Sequence, residues 1–323
     1  MSVSIKPYAV GIDIGGTNTV FGIVDARGNV IASSAIKTQK HQKIENYIAE
    51  LYTELSRLIE ANGGISKIKG IGVGAPNANY YTGKIEHAPN LPWKGIIPFS
   101  DMLKEKFGVP VAITNDANAA AIGEMTYGAA RGMKNFIMIT LGTGVGSGIV
   151  ANGQLIYGAD GNAGELGHVN VRRHNGRQCG CGLTGCLETY TSATGVALSA
   201  REFLESRKDE SSLLRVIPLD DITSKDVYDA AMSGDKIAKD VFEFTGQILG
   251  EAFADFIKFS SPEAIILFGG LAKSGKLLTA PIEKAMEKNL MPVFKNKVKV
   301  IHSELKEADA AVLGASALAW EIK

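Results

Sequence analysis

Every cysteine in this chain falls in one stretch, Gly161 to Tyr190 (GNAGELGHVNVRRHNGRQCGCGLTGCLETY). Cys179, Cys181 and Cys186 form C-x-C-x4-C, with His168 eleven residues before the first and Glu188 two residues past the last. An odd number of thiols cannot all pair with one another. Neighbouring Cys-x-Cys geometry also suits a disulfide poorly, whereas thiolates around a metal need only point inward. Three thiolates and one imidazole make the closed tetrahedral set expected of structural zinc. Gly180, Gly182 and Gly185 fit a tight knuckle that needs left-handed backbone positions. The competing reading is three reduced, buried thiols, or a redox switch. A lone histidine is more often simply hydrogen-bonded, and it is the place of His168 in G-E-L-G-H that makes it the fourth ligand.

The 323 residues allow two domains, at ~100–200 residues each, and a chain this long buries about three quarters of its unfolded surface. Lys plus Arg (34) equals Asp plus Glu (34), so no electrostatic footprint for nucleic acid or an anionic membrane is present. The opening MSVSIKPYAVGIDIGG has neither the apolar core nor the cleavage site of a signal peptide. No apolar run approaches the ~20 residues of a membrane span, and few, clustered cysteines point to a reducing compartment. The expectation is a soluble, cytoplasmic protein.

Tyr8 to Ile14, Thr19 to Asp25 and Val30 to Ile36 read as three consecutive antiparallel strands separated by glycine turns. Glu45 to Ala61 has helical apolar spacing and stops at Asn62-Gly63-Gly64. Ile68 to Gly74 and Val111 to Thr114 are buried strands, the second leading into an alanine-rich helix from about Asn118 to Glu124. The plan then repeats. Asn135 to Leu141 is a strand, Gly142 to Gly146 a glycine-rich turn and Ser147 to Val150 the return strand. A long helix from Ile237 to Phe259, a strand from Glu263 to Phe268, a last strand from Lys297 to His302 and a closing helix from Ala308 to Ile322 follow. Residues 203–225 are the most charged and least periodic, and read as a surface excursion. Strand, glycine turn and strand at 8–24 and again at 135–151 predict two α/β halves of related topology with a cleft between them. Their expected limits are 1–120, joined by the C-terminal helix at about 308–323, and 121–307.

Asp13-Ile14-Gly15-Gly16-Thr17-Asn18-Thr19 puts a carboxylate at a strand end and then a turn of small and hydroxyl residues. Such a turn exposes backbone N–H groups and hydroxyls to phosphate oxygens, and the aspartate can hold Mg²⁺ through water. Gly142-Thr143-Gly144 repeats the device in the second half. One glycine turn is usually a hairpin, but two at equivalent places predict a nucleotide's phosphates held from both sides. The Gly-Lys-Thr/Ser ending of a Walker A loop is absent. Asp116, in Asn115-Asp116-Ala117-Asn118, lies between a buried strand and a helix. It reads equally as a helix N-cap and as a base taking a proton from a hydroxyl nucleophile. Glu165, His168 and Glu188 converge if zinc ties their segment down, and would then suit the hydroxyls of a polyhydroxylated ligand. Either glutamate alone reads as a solvated surface charge.

D-I-G-G-T-N-T at 13–19, N-D-A-N-A-A at 115–120, L-G-T-G-V-G-S-G at 141–148, G-E-L-G-H at 164–168, C-G-C-G-L-T-G-C-L-E at 179–188 and F-G-G at 268–270 run through the whole chain. Together they resemble the ROK family of sugar kinases, bacterial glucokinases above all, within the actin-like, hexokinase-like, Hsp70-like superfamily. The resemblance implies two duplicated ribonuclease H-like domains flanking an active-site cleft. It also implies ATP- and Mg²⁺-dependent phosphorylation of a hexose at its terminal (6-) hydroxyl. Asp116 would then be the catalytic base and Asp13 would organise the metal. Gly15, Gly16, Thr17, Asn18, Thr19, Gly142, Thr143 and Gly144 would hold phosphates, with Gly269 and Gly270 beside the adenosine. Asn90, Asn115, Asp116, Glu165, His168 and Glu188 would ring the sugar. His168 would serve twice, one ring nitrogen on zinc and the other on a sugar hydroxyl. A homodimer is implied by the likeness alone.

Two departures stand out. Asn77 follows Gly74-Ala75-Pro76 where the family commonly has glycine, and asparagine tolerates left-handed angles. Ala78 to Glu86 (ANYYTGKIE) is less typical than the motifs flanking it. Glucose is the first expected substrate, then N-acetylglucosamine or N-acetylmannosamine, then fructose. A sugar-responsive repressor is the competing class, but a first strand beginning by about Tyr8 leaves no room for a winged helix before it. A non-catalytic sugar sensor is the other alternative.

Overall fold

The computed structural model describes residues 6–322. In chain order it begins with strands β1 (Tyr8–Ile14), β2 (Asn18–Asp25) and β3 (Val30–Lys37), then helix α1 (Ile44–Ala61) and strand β4 (Ile68–Gly74). Short strands β5 (Ala78–Asn79), β6 (Lys84–Glu86) and β7 (Ile96–Ile97) follow, then α2 (Phe99–Phe107), β8 (Val111–Thr114) and α3 (Asp116–Tyr127). The second series is β9 (Phe136–Leu141), β10 (Val145–Ala151), β11 (Gln154–Leu155), α4 (Glu188–Thr191), α5 (Ala193–Ser206) and α6 (Ser224–Met232). It closes with α7 (Lys236–Ser260), β12 (Ala264–Phe268), α8 (Lys276–Asn289), β13 (Lys299–His302) and α9 (Glu307–Glu321).

Two compact units result. Unit 1 comprises residues 1–133, 155–164 and 304–323, and unit 2 comprises 134–154 and 165–303. The sheet of unit 1 runs β3-β2-β1-β4-β8, and the second sheet runs β11-β10-β9-β12-β13. In each, the first strand of the series pairs antiparallel with the second and parallel with the fourth. The duplication read from the glycine turns is therefore a duplication of sheet topology, and the fold is the expected α/β one. The expected division at 120/121 falls inside α3, a continuous helix, and the chain leaves unit 1 only after Met133. Helix α9 does join unit 1.

The central strands β1, β4, β9 and β12 are buried on two faces, which is why they read as continuous apolar runs, whereas the edge strand β3 alternates between half-buried and exposed positions. In unit 1 one face packs under Tyr47, Leu51 and Leu55 of α1. The other carries α9 at backbone contact: a Cβ on Gly72 would sit 1.8 Å from the Ala315 carbonyl oxygen, so only glycine fits. In unit 2 the core gathers Val241, Phe242, Leu249 and Phe253 of α7 against Ile137, Ile139 and Ile265 of the sheet.

The excursion at 203–225 is more ordered than its composition indicates. Its first residues complete α5, and Leu214 and Ile222 are buried in the core of unit 2. Helix α3 is also longer than expected, starting at Asp116 rather than Asn118. Among the described residues no helix is long and apolar enough to cross a membrane.

Candidate active site

In unit 1, Asp13 stands one residue before the end of β1 and Asp116 opens α3. Gly74, at the end of β4, lies between them: a Cβ there would be 3.5 Å from the Asp13 Oδ1 and 3.8 Å from the Asp116 Cα. Burial raises the pKa of Asp13 from 3.8 to about 7, and the charge of Asp116 adds to the rise. Asp116 presents surface to solvent, yet the bulk of protein around it also raises its pKa through desolvation.

The cap of α3 comes from Asn115, whose side-chain oxygen accepts from the Asn118 N–H at 2.7 Å. Asp116 takes the first helical position instead and accepts from the Ala117 N–H at 2.8 Å. The open question of the sequence is thus resolved at the level of local structure. The residue that caps is Asn115, and the second Asp116 oxygen is not drawn into the cap.

The first glycine turn closes through the Gly15 N–H donating to the Asn18 carbonyl at 2.9 Å. Thr17 and Asn18 are exposed, and the Asn90 backbone lies over Gly16, 3.1 Å from where a Cβ would be. Thr19 departs from its expected role. It is fully buried, and its hydroxyl is engaged with the Thr38 hydroxyl at 3.0 Å and the Tyr47 hydroxyl at 2.7 Å. Alternation along β2 turns Thr19 into the core, so its hydroxyl holds the turn in place rather than meeting a phosphate.

In unit 2 the turn Gly142-Thr143-Gly144 joins β9 to β10, with the Gly142 N–H bonded to the Gly144 carbonyl at 3.0 Å. The first residue of α5 donates its N–H to the Gly142 carbonyl at 2.8 Å, which seats that helix N-terminus against the turn. Gly269 follows β12 at φ +100°, and a Cβ there would meet the Leu141 carbonyl oxygen at 2.6 Å. The turn and the Gly269-Gly270 pair therefore sit side by side at the carboxyl ends of parallel β9 and β12, the usual ligand edge of such a sheet.

The knuckle is a small hairpin bridged at Gln178–Thr184, with the Cys179 N–H donating to the Leu183 carbonyl at 2.8 Å. Gly182 (φ +91°) and Gly185 (φ +80°) take the left-handed positions, but Gly180 does not. The ligand atoms of His168, Cys179, Cys181 and Cys186 all lie within 4.8 Å of one another. Cys181 and Cys186 sulfurs are 3.7 Å apart, and the Cys179 sulfur is 3.7 Å from His168 Nδ1. A tetrahedral site with metal–sulfur bonds of ~2.3 Å has edges of about 3.8 Å, so the donor set fits zinc.

His168 Nε2 faces away from the thiols, 3.9 Å from a Glu165 oxygen. Glu188 touches both features of unit 2. One oxygen accepts from the Cys179 thiol at 3.1 Å, and the other from the Val145 N–H at 3.3 Å, directly after the glycine turn. Gly144 leaves room for that second oxygen, which would stand 2.7 Å from a Cβ.

Sequence reasoning passed over Arg177. Its side chain is nearly buried and donates to Glu202, to the Thr189 carbonyl at 2.8 Å and to the Ser199 hydroxyl at 2.9 Å, and it lies over the Tyr190 ring at 4.5 Å. It fastens the knuckle to α4 and α5. An arginine beside a cysteine cluster carries no sequence signal that separates this role from a solvated charge.

Comparison with known proteins agrees with this architecture. The chain is 38% identical over 320 residues to a glucokinase of Halalkalibacterium halodurans, covering 98% of this chain and 95% of that one. It is 29% identical to an N-acetylglucosamine repressor of Escherichia coli, covering 96% of this chain and 75% of the repressor. Among solved structures, a ROK family glucokinase from Streptomyces griseus in complex with glucose and AMPPNP superposes with a TM-score of 0.79 at 31% identity, covering 98% of this chain and 100% of that one. The model of the ROK family matches residues 9–322, and with relatives this close over nearly the full length, the chain belongs to the ROK family.

Proposed function

We propose that this protein is an ATP-dependent hexose kinase that transfers the γ-phosphoryl group to the terminal hydroxyl of glucose. The observation that carries the reading is the division of labour at the start of α3: Asn115 caps the helix, and Asp116 is left with a raised pKa beside Asp13. A base whose pKa lies closer to working pH is a better proton acceptor for a hydroxyl than an ordinary carboxylate. The kinship with glucokinases supports the choice of substrate.

In the reaction the sugar's O6 attacks the γ-phosphorus, the bond from that phosphorus to the β–γ bridging oxygen breaks, and the O6 proton passes to Asp116. Gly16, Thr17 and Asn18 in unit 1 and Thr143 and Gly144 in unit 2 are assigned as backbone and side-chain donors to the phosphates, while Gly15 and Gly142 spend their N–H groups closing the two turns. Gly269 and Gly270 leave the neighbouring strand end open for the adenosine. Asp13 would hold Mg²⁺; when bound, that ion supplies charge stabilisation to the phosphates. Its half-buried carboxyl, with a pKa raised to about 7, is the kind of group a bound cation would help to ionise.

Asn90, Asn115, Glu165, His168 and Glu188 are assigned to the sugar hydroxyls. Asn115 does so through its amide nitrogen, since its oxygen is committed to the cap. Cys179, Cys181, Cys186 and the Nδ1 of His168 would hold zinc, a structural staple that orients the imidazole. The enzyme is assigned to the cytoplasm on its few, clustered cysteines and to a homodimer on family likeness, the latter testable by light scattering of the purified protein.

The deciding experiment measures product formation with ATP and Mg²⁺ across glucose, N-acetylglucosamine, N-acetylmannosamine and fructose, compared by kcat/KM. Glucose is expected to lead. Sugar binding with no turnover on any member would replace the kinase with a sugar sensor, a reading that kinship with a repressor keeps in view.

A further inference from the structure

The stretch Ala78 to Glu86, atypical among its neighbours, has a partner elsewhere in unit 1. Residues 155–164 cross from unit 2 to unit 1 and back again, leaving at Gly164 (φ +96°). The next residue is Glu165, and His168 follows three positions later. Whatever fixes this strap therefore fixes the chain from which both proposed sugar ligands depart.

Three tyrosines do so. Tyr80 stacks on Tyr157 of the strap with ring centroids 4.0 Å apart and planes 12° from parallel. Tyr81 meets the same ring edge-on at 6.0 Å and donates its hydroxyl to the Gly158 carbonyl at 3.0 Å. Asn79, buried, completes the clasp by donating to the Asp160 carbonyl at 2.7 Å. Its oxygen accepts the Tyr81 and Thr82 N–H groups, so the same side chain shapes the β5–β6 turn and holds the strap. Gly161 packs against it so closely that a Cβ would lie 2.7 Å from that oxygen. The Tyr157 hydroxyl is buried with Thr114 nearby, but no aligned hydrogen bond joins them. The ring, not the hydroxyl, does the holding.

We propose that the Tyr80–Tyr81–Tyr157 clasp, with Asn79, is a positioning device for the sugar: it sets where the strap ends and hence how Glu165 and His168 are presented. It rests on the assignment of those two residues to the sugar. The Ala78–Glu86 segment leads on to Asn90, the third residue assigned to the sugar. None of the residues assigned to the nucleotide lies on either segment, and the one approach to them is the Asn90 backbone over Gly16. Loosening the clasp should therefore act on the sugar.

The test compares Tyr157→Phe, Tyr157→Ala and Glu165→Gln by steady-state kinetics with glucose and ATP. Losing the stacked and edge contacts is expected to raise the glucose KM about tenfold in Tyr157→Ala, equivalent to ~1.4 kcal/mol. Its kcat and ATP KM should stay within about twofold, and Tyr157→Phe should behave as wild type. A wild-type glucose KM in Tyr157→Ala, or equal rises for glucose and ATP, overturns the proposal. Should Tyr157→Ala not fold, Tyr81→Phe decides, with a raised glucose KM expected and an unchanged one refuting. An unchanged glucose KM in Glu165→Gln would instead overturn the assignment of Glu165 to the sugar.

Discussion

Replacing Asp116 by asparagine separates chemistry from architecture at one atom. The amide oxygen can still accept the Ala117 N–H now held at 2.8 Å, and the cap is untouched because Asn115 provides it. The fold should therefore survive, while the proton acceptor is lost. General-base catalysis contributes ~10²–10⁴-fold, so kcat should fall by that factor, equivalent to ~2.7–5.4 kcal/mol of barrier. Glucose KM should change far less. Stability supplies a second readout. Burial raises the pKa of Asp116, so the folded state favours its neutral form. That contribution is present at acid pH and lost as pH rises through the folded value. The asparagine variant should match wild type in urea unfolding at about pH 4 and exceed it at about pH 8. A coupled assay of glucose 6-phosphate formation, at saturating substrates, reads the first effect. Turnover within tenfold of wild type, or a variant less stable than wild type at the higher pH, would refute the reasoning.

Asp13→Asn should remove a pH dependence of stability expected of the Mg²⁺-free wild type. With the pKa raised from 3.8 to about 7, wild-type stability should decline as pH rises across that window, by up to ~4 kcal/mol at ~1.36 kcal/mol per pKa unit, and urea titrations of both proteins would show it. Cys181→Ser should lower the zinc content measured by atomic absorption and raise the glucose KM about 10–100-fold through His168. The ATP KM should hold, and a zinc-free variant with a normal glucose KM would break the link. Gly144→Ala places a methyl 2.7 Å from a Glu188 oxygen. Displacing that carboxylate should cut kcat/KM for glucose by up to ~10²-fold, and unaltered kinetics would show that Glu188 takes no part.

Much of the fold was legible because buried parallel strands and glycine turns have strong local signatures. Tyr8–Ile14, Ile68–Gly74 and Val111–Thr114 match the expected strands residue for residue. Helices α2 and α8 escaped notice for local reasons: α2 is nine residues long, too short to display a period, and α8 carries Pro281 in its interior. The Cys₃His cluster was equally plain, since four donor residues within nineteen positions need little from the rest of the chain.

What the sequence determined by itself was the set of local instructions: duplicated strand-turn-strand units, the Cys₃His donors, and a carboxylate at the head of a helix. Only the tertiary structure decided which side chains keep free hands. Thr19 is drawn into the core by Thr38 and Tyr47, and Tyr157 reaches a segment more than seventy residues away. The reason is physical. Propensity and spacing act over a few residues, whereas burial, and the charge it suppresses or a hydroxyl it consumes, depends on partners distant in the chain.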